Sequence, residues 1–301
     1  MKLGAAGGQR NDARLSYFRA ETADDLDRIV EKLDLYGLSA IASPVRTPEM
    51  DDDECVEFGE KAASLGLVIS EVHFLTNLVA PTPELRTERV ELGRSLLRKA
   101  DLMRARCVLG FAGSAHPSDE IGAQCAYNFT PEFQAELREL VLRVLDGIEL
   151  KHTKYGLEAN NKTFFYSPEG CAELIGSVDH PDFGLHLDMM NMISQATYYR
   201  TTEVIDTTFE LLGDKIWAAH LKDIRWDRHY QFLRLDEVIV GDGEMDYPTY
   251  IRHLAAYDAD FPCMCEHLET EDDYVVSFER LHRMAADAGT EWVGRTVPQT
   301  A

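Results

Sequence analysis

Short apolar runs alternate with longer amphipathic stretches along the whole chain of 301 residues. This alternation is typical of parallel strands joined by crossover helices. Eight candidate strands follow the pattern: KLGAAG from Lys2, LSAIAS from Leu38, LVISEVHF from Leu67, CVLGFAG from Cys107, GLEAN from Gly156, GLHLDMM from Gly184, IWAAHLKD from Ile216 and PCMCEHL from Pro262. Eight such units predict an α/β fold in which residues 1–301 form a single (β/α)8 TIM barrel.

The helical pattern is clearest in two segments, Pro83–Met103 and residues 131–150, where apolar residues recur every three to four positions behind a proline. A doubly wound open sheet is the main alternative. That fold has fewer strands and usually a glycine-rich phosphate turn of the form GxGxxG after the first strand. The segment GAAGGQR does not match this motif, so the barrel is favoured.

Charged side chains stand near the ends of four consecutive predicted strands. Asp188 interrupts the apolar run GLHLDMMNM, and an unpaired buried carboxylate is costly. The carboxyl ends of barrel strands form the catalytic face, so these residues should converge there. They are Glu158, Asp188, His220 and Glu266. Three carboxylates and one imidazole suit Mn²⁺, or Mg²⁺ or Co²⁺ in its place, better than a metal that prefers thiolates.

Composition restricts the partners and the cellular compartment. The chain has 53 acidic and 30 basic residues and a net charge of -23, so nucleic acid and anionic membranes should repel it. No apolar run approaches the roughly 18 residues of a membrane span, and no secretory signal is evident, which favours the cytoplasm. Six scattered cysteines contain no CxxC pair and should be reduced thiols.

Several polar residues near these strand ends are candidate substrate contacts. Lys222 shares a face with His220, which favours a substrate contact or an ion pair with an acidic ligand. Asn160, related in the same way to Glu158, and Asn191 are candidates to hydrogen-bond hydroxyl groups. His186 lies one layer below Asp188 and fits a packed histidine beside the ligands better than a catalyst.

Two further histidines are candidate general bases. His73 lies near the end of the third strand and His116 in the loop after the fourth. By contrast, Cys263, Cys265 and His267 have the opposite strand parity to Glu266, so we expect them to face the surrounding helices and to take no part in chemistry.

Two connections, residues 114–130 and 224–246, are unusually long for loops on the catalytic face, where long loops are often lids or binding walls. Both are rich in aromatic side chains, which either stack on a ligand or pack within a lid. These side chains are Tyr127, Phe129, Trp226, Tyr230 and Phe232.

The motifs GLEANN, HLDMMN, AHLKD, GDGEMDY and CEHL, in this order, resemble those of the xylose-isomerase-like barrels, the sugar phosphate isomerase/epimerase superfamily. The resemblance covers nearly the whole chain. It implies one divalent cation bound by Glu158, Asp188, His220 and Glu266. In the epimerases of this family the two glutamates also move protons at a carbon beside a carbonyl, and the proteins often form dimers or tetramers.

The chain departs from the ketose epimerases at two positions. Asn191 stands where those enzymes have a sugar-binding histidine, and Trp226 stands where they have an arginine. Together with HLKD, this pattern looks more like the large subunits of bacterial C-glycoside deglycosidases. That resemblance implies a 3-oxo-glucoside substrate, Mn²⁺, an aromatic leaving group that the loop aromatics contact, and a small second subunit.

The resulting hypothesis is a divalent-metal-dependent enzyme that removes a proton beside the carbonyl of a keto-sugar. A metal at a carbonyl and a neighbouring hydroxyl stabilises the charge of the enediolate. Cleavage of a 3-oxo-glucoside by a C-glycoside deglycosidase, which is a lyase, is the leading specific function. A sugar isomerase or epimerase, or a keto-inositol dehydratase, is the alternative, and a non-catalytic carbohydrate-binding subunit is the alternative of another class.

Overall fold

The computed structural model describes residues 1–7, 18–229, 231 and 234–297. Eleven strands lie within these residues. They are β1 (Lys2–Gly7), β2 (Ala40–Ile41), β3 (Val68–Ile69), β4 (Glu71–Phe74), β5 (Cys107–Phe111), β6 (Lys154–Glu158), β7 (Phe183–Asp188), β8 (Ile216–Leu221), β9 (Asp223–Trp226), β10 (Leu235–Val238) and β11 (Pro262–Glu266).

Nine of these strands form one parallel sheet in the order β3-β2-β1-β11-β8-β7-β6-β5-β4. The two outer strands of this order, β3 and β4, are consecutive in the chain, with only Ser70 between them. Ser70 donates its backbone N–H to Ile41 (2.8 Å) and accepts the N–H of Cys107 (3.2 Å). The third barrel strand therefore bridges both neighbours and closes the ring, which confirms the predicted single (β/α)8 barrel.

Eight α-helices surround the ring in the described residues, and consecutive helices pack against one another. Their apolar faces meet the outer surface of the sheet in one hydrophobic core. They are α1 (Ala23–Leu35), α2 (Asp52–Ser64), α3 (Pro83–Met103), α4 (Pro131–Leu145), α5 (Pro168–Val178), α6 (Thr201–Leu212), α7 (Tyr247–Leu254) and α8 (Glu271–Asp287).

Local sequence explains where these helices begin and end. The hydroxyls of Thr82 and Thr130 accept N–H groups of the first turn at the starts of α3 and α4, each of which has proline in its first turn. Helix α3 has the predicted bounds. Helix α4 ends at Leu145, five residues before the predicted end at residue 150, because Gly147 turns the chain with a φ of +66°.

The two long connections differ in structure. Residues 114–130 contain one 3₁₀ turn, Ala126–Phe129, whereas the connection after β8 contains the antiparallel hairpin β9–β10. The predicted seventh strand therefore ends at Leu221, and Asp223 begins the hairpin.

All six cysteines are free thiols. Five of them are buried, and Cys125 is half-buried in the connection between β5 and α4. None of the described helices is long and apolar enough to cross a membrane.

Candidate metal centre

The four predicted ligands converge at the carboxyl end of the barrel. One donor atom from each lies within 4.8 Å of the donor atoms of the others, and all four residues are buried. The Nδ1 atom of His220 lies 2.9 Å from Glu266 Oε1 and 3.9 Å from Glu158 Oε1. The prediction that charges at four consecutive strand ends meet in one place therefore agrees with the geometry.

Strand register explains how the four side chains meet. Asp188 pairs directly with His220, whereas Glu158 pairs with His186, two residues before Asp188. Barrel strands are tilted relative to the barrel axis, so residues that are offset in strand register can still lie at the same height along the axis. The glutamate side chain of Glu158 is also longer than that of Asp188, which brings its carboxylate to the same cluster.

Lys222 places its ammonium group within the cluster. Its Nζ lies 2.5 Å from Asp188 Oδ2, 2.8 Å from Glu266 Oε1 and 4.0 Å from Glu158 Oε1. Burial alone lowers the pKa of Lys222, but these carboxylates outweigh burial and hold the pKa well above its ordinary value. Of the two alternatives given by the sequence, the structure shows the ion pair with the acidic ligands.

The two glutamates have opposite pKa shifts. Burial raises the pKa of Glu158 above its ordinary value, against the opposing effect of His220. Burial also acts on Glu266, but His220 and Lys222 outweigh it and hold the pKa of Glu266 well below its ordinary value. Carboxyl groups with shifts of opposite sign are suited to different roles in proton transfer.

Asn191 contacts two of the predicted ligands. Its side-chain amide donates to Glu158 Oε1 at 2.8 Å, and its backbone N–H donates to Asp188 Oδ1 at 3.2 Å. In this structure Asn191 therefore orients the carboxylates. Its predicted contact with a sugar hydroxyl stays a prediction.

A second layer of charged groups, which sequence analysis missed in part, lies beneath the cluster. The carboxylate of Glu71 is fully buried and faces the Nε2 atoms of His73 (3.6 Å), His186 (3.7 Å) and His220 (3.8 Å). The ring of His186 is also fully buried and lies 4.3 Å from the ring of His220, centroid to centroid. The sequence signal for Glu71 was a charge within LVISEVHF, two residues before His73.

Arg19 is a further residue at this edge of the barrel that sequence analysis did not identify. Its Nε donates to the backbone carbonyl of Ser43 at 3.1 Å, and its Nη2 lies 3.5 Å from His73 Nδ1. The arginine follows the first strand in a connection with no periodic pattern, so its position was not predictable from spacing.

The expectation for His267 is wrong. This residue has a φ of +63°, which breaks strand parity immediately after Glu266 and turns the ring into the barrel mouth. Its Nδ1 lies 3.3 Å from Lys222 Nζ and 2.9 Å from Glu237 Oε2 on the hairpin, and its Nε2 lies 3.5 Å from Glu266 Oε1. His267 therefore links the candidate centre to the hairpin β9–β10.

Asp223 holds the connection after the hairpin against the barrel. Its Oδ2 accepts the backbone N–H groups of Gly241 (2.9 Å) and Gly243 (3.0 Å). Its Oδ1 accepts those of Ile224 (2.8 Å) and Met245 (3.1 Å). A side chain at position 243 would not fit, because a Cβ atom there would lie 2.1 Å from Asp223 Oδ1.

Two other predicted residues are engaged in their own loops. The side-chain oxygen of Asn160 accepts the backbone N–H of Lys162 at 2.9 Å. His116 Nδ1 accepts the backbone N–H of Ser118 at 3.1 Å and lies 2.9 Å from the Ser118 hydroxyl oxygen. The roles proposed for Asn160 with substrate and for His116 as a base stay predictions.

The loop aromatics differ in exposure. Tyr127 and Phe129 are 39% and 50% exposed, which leaves them accessible to solvent. Trp226 is half-buried against Tyr198, and its indole Nε1 has no hydrogen-bond partner within the described part of the chain. The remaining two aromatics of this prediction, Tyr230 and Phe232, lie outside the described residues.

The cluster fits a divalent cation. Three carboxylates lie together around one imidazole and one lysine ammonium. The donors of the four predicted ligands are three oxygens and one imidazole nitrogen, which form the hard, oxygen-rich set that Mg²⁺ and Mn²⁺ accept.

Comparison with protein families agrees with this arrangement. Residues 28–284 match the family model described as xylose isomerase-like TIM barrel, and the chain belongs to that family. The family resemblance drawn from the strand-end motifs is thereby confirmed. A search of curated protein sequences gives no match to this chain.

Solved structures share the fold at low sequence identity. A xylose isomerase-like TIM barrel protein from Mycobacterium smegmatis, in complex with magnesium, is 17% identical, with a TM-score of 0.65 over 95% of this chain and 97% of that chain. Endonuclease IV from Thermus thermophilus is 16% identical, with a TM-score of 0.65 over 95% of this chain and 100% of that chain.

A third structure of this kind is 3-keto-D-glucoside 4-epimerase from E. coli in its apo form. It is 13% identical, with a TM-score of 0.62 over 95% of this chain and 99% of that chain. At these identities the similarity shows the fold.

Proposed function

We propose that this chain is a divalent-metal-dependent enzyme that removes the proton beside the carbonyl group of a keto-sugar. The leading specific reaction is cleavage of a 3-oxo-glucoside with release of its aglycone, as in C-glycoside deglycosidation. The observation that carries the proposal is the buried convergence of Glu158, Asp188, His220 and Glu266 at the carboxyl end of the barrel.

Each group has a defined role in this proposal. A divalent cation held by the four ligands, with Mn²⁺ as the preferred ion, would supply Lewis-acid stabilisation of the negative charge that develops on the carbonyl oxygen. Glu266 and Glu158, which lie in the same buried cluster, are the two carboxylates proposed to move the proton. One glutamate would take the proton from carbon and the other would return one.

Bond changes in the cleavage balance without an added oxidant. The proton leaves C2 of the 3-oxo-glucoside, and the electron pair of that C–H bond forms a C1–C2 double bond. The bond between C1 and the aglycone breaks, and the aglycone takes up a proton. The exposed side chains of Tyr127 and Phe129 are suited to stack on an aromatic aglycone.

The choice of substrate class has independent support. The E. coli structure with the same fold is that of a 3-keto-D-glucoside 4-epimerase, which acts on a sugar of this oxidation state. An isomerase, an epimerase or a keto-inositol dehydratase would use the same ligands and begin with the same proton removal, so these remain the alternative. A small second subunit and a homo-oligomer are part of the deglycosidase proposal.

Cleavage of nucleic acid is disfavoured, although endonuclease IV has the same fold. The chain carries a net charge of -23, which repels a polyanionic substrate. A carbohydrate-binding subunit without activity is also disfavoured, because simple sugar binding does not require three buried carboxylates around one lysine.

A product analysis tests the proposal. The protein is incubated, with and without Mn²⁺, with a C-glucosylated flavonoid already oxidised at C3 and, separately, with free ketoses. We expect release of free aglycone only with Mn²⁺, and deuterium at C2 of any returned sugar in deuterium oxide. Asp188→Ala is the inactive control. Rapid interconversion of free ketoses beside intact 3-oxo-glucosides would replace the lyase assignment with the isomerase or epimerase alternative.

A further inference from the structure

Glu71 stands apart from the four ligands but contacts one of them from below. Its side chain is fully buried, and neither carboxylate oxygen has a partner at hydrogen-bond distance within the described residues. Its neighbours are three imidazoles, and all three present the same nitrogen, Nε2, at 3.6 to 3.8 Å. A buried carboxylate in this position favours a proton on each nitrogen that faces it.

Arg19 gives an independent indication of the proton position on His73. A guanidinium group has only N–H donors, so an imidazole nitrogen beside it must act as an acceptor. Arg19 Nη2 lies 3.5 Å from His73 Nδ1. The neutral ring of His73 therefore carries its proton on Nε2, which is the nitrogen that faces Glu71.

The same orientation holds for His220, with a consequence for the candidate centre. Its Nδ1 faces Glu266 and the other predicted ligands, while its Nε2 faces Glu71. An imidazole nitrogen binds a metal through its lone pair, so a ligand at Nδ1 requires the proton on Nε2. The buried ring of His186, at 66° to the ring of His220, packs against it and resists rotation.

We propose that Glu71 is a positioning residue that holds the proton of His220, and that of His73, on Nε2 and so leaves His220 Nδ1 as the donor to a divalent cation. Its carboxylate oxygens lie 3.6 to 3.8 Å from the Nε2 atoms of all three rings, and this geometry favours a proton on each of those nitrogens. The inference for His220 rests on the proposed metal centre, whereas that for His73 does not.

A second cation between Glu71, His186 and His220 is the competing interpretation, because their donor atoms also lie within 4.8 Å of one another. It would require His220 to bind a cation through each nitrogen and to lose both ring protons. Retaining the proton on Nε2 avoids this cost, and we therefore favour the positioning role.

Zinc binding and histidine protonation test the proposal in the full chain. Zn²⁺ affinity is measured by competition with a chelator for wild type, Glu71→Gln and Asp223→Asn. Glu71→Gln should weaken Zn²⁺ binding about 10- to 100-fold, as for other groups that orient a ligating histidine. Asp223→Asn is the matched control, because it also replaces a buried carboxylate with an amide but away from the ligands, and its affinity should stay within about threefold.

Nitrogen-15 NMR of the histidine rings provides a readout that needs no variant. We expect a proton on Nε2 of His73 in the metal-free and Zn²⁺-loaded protein, and on Nε2 of His220 with Nδ1 bound to Zn²⁺. A proton on Nδ1 of either ring in those states would overturn the proposal. An unchanged Zn²⁺ affinity in the folded Glu71→Gln variant would also overturn it. The same holds if wild type binds two Zn²⁺ per chain and Glu71→Gln binds only one.

The proposed function and this inference fail separately. If wild type takes up no Zn²⁺ and no other divalent ion, the metal centre fails, and the His73 tautomer in the metal-free protein still decides the role of Glu71. If the zinc and NMR results are as expected but no keto-sugar reacts, the positioning role holds and the proposed reaction is wrong.

Discussion

Asp188 and Asp223 are both buried aspartates near the mouth of the barrel, and their surroundings differ in one respect. Both oxygens of Asp223 accept backbone N–H groups, four in all. Asp188 accepts one backbone N–H from Asn191, and its other oxygen faces the ammonium of Lys222. Backbone donors are fixed by the fold, whereas a lysine side chain is a movable charge.

This difference separates a structural carboxylate from one available for chemistry. Asp223 uses its acceptor capacity to hold the loop around Gly241 and Gly243, so it has little capacity left for a ligand. Asp188 lies among other carboxylates whose counter-charges are side chains, those of Lys222 and His220. Burial of an acidic residue is therefore insufficient to identify a functional site. The groups that neutralise the residue, backbone N–H or charged side chain, distinguish a structural carboxylate from a functional one.

The largest expected effect comes from removing a predicted ligand. Purified protein should hold about one divalent ion per chain, and His220→Ala or Asp188→Ala should remove both the ion and the activity. A loss of about 10³-fold or more is expected, because Lewis-acid stabilisation contributes several kcal/mol. Elemental analysis and turnover provide the measurement, with Asp223→Asn expected to keep the metal. Active wild-type protein without stoichiometric metal would contradict this prediction.

Replacing the two glutamates should have the next largest effect. Glu158→Gln and Glu266→Gln should each lower turnover by about 10²-fold or more, because the amide keeps the shape but cannot exchange the proton. Turnover is measured on variants with their metal content determined. Near-normal turnover in metal-loaded glutamine variants would show that another group, such as His73 or His116, moves the proton.

Asp223→Asn should act on stability and leave the metal centre intact. The new amide nitrogen would face backbone N–H groups that now donate to a carboxylate, so we expect the free energy of unfolding to fall by about 1–3 kcal/mol. Thermal unfolding and metal content check this, with Asp242→Asn in the same loop as an exposed control, since Asp242 pairs with Arg280 at the surface. If Asp223→Asn lost its metal but kept its stability, Asp223 would belong to the metal centre and would not be a structural carboxylate.

The smallest expected effect is at the edge of the hairpin. Glu237 is partly exposed and pairs with His267 at 2.9 Å, so Glu237→Gln should change the free energy of unfolding by only about 0–1 kcal/mol. The variant should also retain its divalent ion. A larger loss of stability, measured by denaturant unfolding, would show that the hairpin depends on this ion pair.

Sequence reasoning predicted the barrel and the convergence of the four candidate ligands for one physical reason. Strand alternation fixes which face a side chain occupies, so Glu158, Asp188, His220 and Glu266 could be placed on one surface from their positions alone. The same rule applied to Glu71, whose charge also interrupts an apolar strand, but two of the three histidines that it faces, His186 and His220, are distant in the sequence.

The side-chain directions of two other residues could not be predicted from strand periodicity. His267 follows a strand but has a left-handed backbone conformation, and alternation no longer determines its direction. Arg19 lies in a connection, where side-chain direction depends on tertiary contacts such as the one with Ser43. The helix end at Leu145 likewise depended on the turn at Gly147.

The distribution of the cysteines offers a route to chemical labelling. A thiol reacts as the thiolate, and burial raises the pKa of Cys55 to about 11 and that of Cys265 to about 12, so these thiols are shielded from alkylation both sterically and chemically. Cys125 is the half-buried thiol, in the connection between β5 and α4. A maleimide dye should therefore label the native protein mainly at this position, without an engineered cysteine.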